Sequence, residues 1–60
     1  MNMEAFDVYL VEKYAHKAYR KGFFKEWQEL TSSIHQNNED LKYDDAAEQA
    51  YNQLNLQGSE

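Results

Sequence analysis

The residues of this chain that could do chemistry are two imidazoles, a cluster of hydroxyls beside one of them, a row of cations and a surplus of aromatic rings. His16 follows Glu12 by four positions, so the two share a face of any helix that contains them. A zinc site needs three or four ligands, and no further His, Asp or Glu stands at ligand spacing, while cysteine is absent altogether. Asn37, Asn38, Glu39 and Asp40 set side-chain oxygens in a row. A calcium loop needs acids at alternate positions and a glycine at its sixth, and this run has neither. Thr31, Ser32 and Ser33 beside His35 offer a nucleophile and a base. Neighbours along a helix point in different directions, however, and no oxyanion donors accompany them. The expectation is no catalytic residue, no metal, no cofactor and no small-molecule substrate. Sixty residues can hardly wall a ligand cavity of roughly 300–1,000 Å³.

The cations are more organised. Lys13, Lys17 and Lys21 step by four, with His16 and Arg20 beside them and Lys25 following, which makes one basic stripe. One reading is phosphate contact, with Tyr9, Tyr19 or Phe24 stacking on bases. The other is a solvated face that meets an acidic helix. The second is expected, because nucleic-acid binders usually carry a positive excess and this chain has a net charge of -5. That charge is divided unevenly: residues 1–25 hold five bases against three acids, and residues 26–60 hold eight acids against Lys42 alone. The acidic half could meet a basic partner or mimic nucleic acid, but Asp44, Asp45 and Glu48 are also what a helix N-terminus attracts.

Aromatic residues make up 15% of the chain, too many for a disordered segment. Phe6, Tyr14, Phe23, Trp27 and Tyr51 fit apolar stripes. Tyr9, Tyr19, Phe24 and Tyr43 fall off them or at element ends. A domain this small buries only about 60% of its unfolded surface and cannot cover nine rings. The four outlying rings are therefore the candidate partner-binding residues, since interfaces use such side chains as anchors.

The elements that position these groups should be helices, because Pro is absent, Gly occurs twice, and good helix formers abound. The first is predicted from about Met3 to Lys21, with Met3, Phe6, Leu10, Tyr14 and Ala18 on one face, Asn2 as cap and Glu4 in the first turn. Arg20, Lys21 and Gly22 form its stop signal. The second is predicted from about Phe24 to Gln36, on the stripe Phe23, Trp27, Leu30 and Ile34. A single helix kinked at Gly22 is the alternative. At about 100° per residue it would point the two stripes well over 90° apart, which favours a break. Gln36 to Asp40 reads as a polar loop. The third helix begins near Tyr43 to Asp45 and ends near Leu54, either with Asp45 and Glu48 as a capping box or with Lys42 in the cap position and Asp44 and Asp45 in the first turn. Residues 55–60 read as a frayed tail.

Glu26-Trp27-Gln28-Glu29-Leu30 resembles a stretch of the short helical hairpins of bacterial regulatory antagonists, and Gly22-Phe23 resembles the loop of ubiquitin-binding three-helix domains. Each resemblance covers a handful of positions, and neither implies a role for any residue. The expected fold is all-α, one small three-helix domain over residues 1–54. The longest apolar run, Val8-Tyr9-Leu10-Val11, is far below the ~20 residues of a membrane span, and the N-terminus lacks a secretory pattern, so a cytoplasmic protein is expected. The expected function is non-enzymatic: a small acidic regulator or inhibitor that binds a larger protein or forms a homodimer, of a kind that fits bacteria and their phages. Nucleic-acid association through the basic stripe is the alternative.

Overall fold

The computed structural model describes residues 7–57, which form three helices: α1 (Val8–Lys21), α2 (Phe24–Asn37) and α3 (Tyr43–Gln57). The all-α, three-helix architecture expected from the sequence is the one found. α1 begins later than the spacing predicts. Asp7 is extended (φ −85°, ψ 103°), and its side chain accepts the Tyr9 amide at 3.0 Å, while its carbonyl accepts from Leu10 and Val11. A continuous helix from Met3 cannot pass through an extended Asp7. The apolar spacing upstream carries no mark of this stop, whereas an aspartate can cap wherever its oxygen reaches the next turn. Asn2, Met3, Glu4 and Phe6 lie outside the described residues.

The joint between α1 and α2 is two residues long and fully bonded. Gly22 adopts φ 86°, ψ 15°, a left-handed conformation that glycine enters without steric cost. Its amide donates to the Tyr19 carbonyl at 3.1 Å, and the Phe23 amide donates to the Ala18 carbonyl at 3.0 Å. These two bonds satisfy the last carbonyls of α1 as a Schellman motif does. Phe23 then starts α2, its carbonyl accepting from Trp27 at 2.8 Å, and its ring packs against the core that holds Ala18. The kinked single helix is thereby ruled out.

At its other end α2 closes on Asn38, whose side-chain amide donates to the Ile34 carbonyl at 2.9 Å. Of the two starts weighed for α3, the one with Lys42 in the cap position is found: the Lys42 carbonyl accepts from Ala46 at 3.0 Å, with Asp44 and Asp45 in the first turn. Asp45 lies inside the helix and caps nothing as a box residue. α3 continues to Gln57, three residues beyond the predicted end at Leu54, so residues 55–57 are helix and not tail.

α1 and α3 run parallel and α2 runs against both. The register of the parallel pair is fixed at two levels, since the Asp7 amide donates to Asp44 Oδ2 at 2.9 Å and the rings of Tyr14 and Tyr51 lie 5.4 Å apart. The core is one indole in a wall of alanines. Trp27 is buried among Ala18, Ala47, Ala50 and Tyr51, and its Nε1–H donates to the Ala47 carbonyl at 3.0 Å. Phe24 and Trp27, Phe23 and Tyr51, and Tyr14 and Tyr51 form tilted ring pairs 5.4–5.8 Å apart, within the range where aromatic geometry adds about 0.5–1.5 kcal/mol per pair.

Two stability measurements check this core. Trp27→Ala removes the indole and its bond, costing about 3–5 kcal/mol. The remaining stability of so small a domain is of that order, so the variant should show little helical circular dichroism at 25 °C. A cooperative melt like that of wild type would place Trp27 outside the core. Thr31 is fully buried and its Oγ1 finds no hydrogen-bond partner among the described residues. Thr31→Val keeps the shape and drops the stranded hydroxyl, so it should raise stability by about 1 kcal/mol in urea unfolding. A loss of the same size would mean that the hydroxyl is satisfied in solution.

Candidate functional site

The four outlying rings do not form one patch. Tyr19 and Phe24 meet across the α1–α2 joint, edge to face with centroids 6.3 Å apart. They meet because the Gly22 turn folds α2 back along α1. Together with Glu12, Ala15 and His16 they line an open groove of about 470 Å³. Tyr19 is 72% exposed and Phe24 half-buried, its other face resting on Trp27. Tyr9 is 83% exposed and lies on the same outward side of α1, since positions 9, 12, 16 and 19 follow the helical repeat. Tyr43 stands apart. It is half-buried at the start of α3, edge-on to His35 at 5.4 Å, and His35 is about 16 Å along α2 from Phe24.

The basic stripe divides as well. Lys17 Nζ lies 5.8 Å from the ring centres of both Tyr14 and Tyr51, and Lys13 Nζ 5.9 Å from that of Tyr14. These ammoniums cover the ring pair that joins α1 to α3, an attraction of about 0.5–1 kcal/mol each at exposed sites. Arg20 and Lys21 are exposed in the last turn of α1, where the helix dipole favours cations. Lys25 stands on α2, about 200° around the helix from Trp27, and so faces solvent away from the α1 row.

Asp44 has a role that the acidic-first-turn reading did not assign. It is buried, and one carboxylate oxygen holds the Asp7 amide while the other, Oδ1, has no partner among the described residues. The signal for this was in the spacing: positions 44, 47, 51 and 54 follow the apolar face of α3, whereas Asp45 lies off it. The hydroxyls near His35 also separate, since Thr31 is inside the bundle and Ser32 and Ser33 are exposed. Among the described residues no three His, Asp or Glu side chains converge as metal ligands would, and no helix is long and apolar enough to cross a membrane.

No family model, curated protein or solved structure matches this chain.

The Tyr14 phenol is held above its ordinary value of about 10, first by burial and then by the negative charge of Glu48 and by Tyr51. The folded state thus binds this proton more tightly than the unfolded chain. Its contribution to stability is intact below about pH 10 and is lost as pH rises through the folded-state value. Denaturant midpoints should fall across that alkaline window in wild type and fall less in Tyr14→Phe. Identical alkaline slopes in the two proteins would exclude Tyr14 as the group responsible.

Proposed function

We propose that this is a non-enzymatic, cytoplasmic binding protein, a small acidic regulator or inhibitor that docks on another protein through the outward side of α1 and the α1–α2 groove. The observation that carries this reading is the Tyr19–Phe24 pair. One ring is largely exposed, and the other is fixed from behind by the buried Trp27. A rigid aromatic anchor of this kind provides contact area at low entropic cost. Tyr9 extends the same surface along α1, whereas Tyr43 packs on His35 at another part of the bundle and is not part of this surface.

Nucleic-acid association has less to support it. Two of the five stripe cations rest on tyrosine rings within the protein and Lys25 faces another way. The net charge of -5 also repels a polyanion.

Tyr19→Ala should keep a cooperative helical melt and lose only its edge contact with Phe24, about 0.5–1.5 kcal/mol. In affinity capture from cell extract, proteins retained by wild type should be lost from the Tyr19→Ala protein. Equal retention by both would remove this surface from the function. A fluorescence titration with single-stranded and duplex DNA near physiological salt should show no binding. Micromolar binding that Arg20→Glu/Lys21→Glu abolishes, with the Lys17 ring contacts left intact, would instead support the phosphate-contact reading.

A further inference from the structure

The side of the bundle that faces away from α1 carries a second surface of opposite character. Counting 100° per residue, Phe24 on α2 and Asp44, Glu48 and Tyr51 on α3 turn toward α1, whereas Glu26 and Leu30 on α2 and Gln53 and Gln57 on α3 turn to the far side. There Leu30 and Leu54, packed against the core but only half covered, form the floor of an open groove of about 410 Å³ rimmed by Glu26, Glu29, Gln53 and Gln57. No basic side chain lines it among the described residues. α3 also ends beside it with no cation in its last turn, so the carbonyl end of that helix adds to the negative charge of the two glutamates.

The ligand that suits such a groove is a helix that sets aromatic side chains among cations. The outward side of α1 has this composition. Tyr9 and Tyr19, both exposed, share an arc of about 120° with His16, Arg20 and one acid, Glu12, and Lys13, whose ammonium lies over the Tyr14 ring, stands at its edge. We propose that the acidic α2–α3 groove receives the α1 face of a second copy of this chain. The inference rests on the reading of α1 as the docking face and gives that face a partner. Charge complementarity selects the second copy: the groove carries Glu26 and Glu29 with no base, and the outward side of α1 carries His16 and Arg20, with Lys13 at its edge, against Glu12 alone. The two surfaces lie on opposite sides of one small bundle, so each can be occupied at once. The contact is heterologous, groove of one copy to α1 of the next, and it extends into short chains as concentration rises unless the rotation closes a ring. Both surfaces are small and solvated, so the association is weak and salt-sensitive.

Sedimentation of the full chain tests it. At low ionic strength, the average mass should rise above the 7.2 kDa monomer between about 10 µM and about 1 mM, and it should return to monomer near 0.5 M salt, where charges are screened within a few ångströms. Tyr9→Ala/Arg20→Ala spoils the α1 face without adding an acid, and Glu26→Gln/Glu29→Gln spoils the groove without adding a base. Each variant alone should stay monomeric with a cooperative helical melt. An equimolar mixture should stop at a dimer, because one intact groove then meets one intact α1. A mixture that stays monomeric while wild type associates would indicate a two-fold contact and overturn the proposal. So would self-association of either variant at wild-type strength, or a wild-type monomer throughout. In that last case Tyr19-dependent capture of another protein would leave the function proposed above standing. If Tyr19→Ala affects neither capture nor association, both readings fail.

Discussion

Everything in this fold is arranged around one indole. Trp27 on α2 is buried in one cluster with Ala18 of α1 and with Ala47, Ala50 and Tyr51 of α3, so three of the four residues that receive it are alanines. Alanine at Ala18, Ala47 and Ala50 lets the helix axes approach closely enough for a single ring system to fill the space between them. The Nε1–H bond to the Ala47 carbonyl then fixes how far α2 can slide along α3. An apolar ring of the same size would fill the space without specifying that register. The alanines are therefore as constrained as the tryptophan, since a larger side chain at any of them would push the helices apart where Trp27 must fit.

The second constraint is electrostatic and sits at the end of the bundle where α1 and α3 both begin. Two parallel helices bring their amide-rich, positive ends together, and Asp44 answers both. It occupies the first turn of α3 and accepts the Asp7 amide that leads into α1. The opposite end of α1 needs no side chain, because the Gly22 turn satisfies its carbonyls with backbone amides. The same turn brings Tyr19 and Phe24 into contact, so the most exposed aromatic pair follows directly from how the first two helices are joined.

Much of this was legible in the sequence. The stripe Phe23, Trp27, Leu30 and Ile34 marked α2, and Arg20-Lys21-Gly22 marked the stop of α1, because helical periodicity and glycine's conformational freedom are local properties. What was not legible depended on contacts between elements distant along the chain. The start of α1 at Asp7 is secured by a carboxylate 37 positions away, and the burial of Asp44 against the exposure of Asp45 is a matter of helix phase relative to α1. Lys13 and Lys17 read as a free stripe because their spacing shows which side of α1 they share. It does not show that Tyr51 of α3 lies under Lys17. The aromatic residues were sorted correctly into inner and outer sets for Trp27 and Tyr51, yet Tyr9, Tyr19, Phe24 and Tyr43 fall in different places, since sequence spacing does not give the distance between helices.

An odd number of helices has a geometric consequence for how this bundle can be connected to anything else. The polypeptide enters α1 at the end marked by Asp7 and Asp44 and leaves α3 near Gln57, at the opposite end, where the Gly22 turn also lies. Entry and exit are separated by the length of a helix, about 22 Å for the 15 residues of α3. Linking Asp7 to Gln57, as in a circular permutation, would take at least about seven fully extended residues, and residues 1–6 and 58–60 together supply nine.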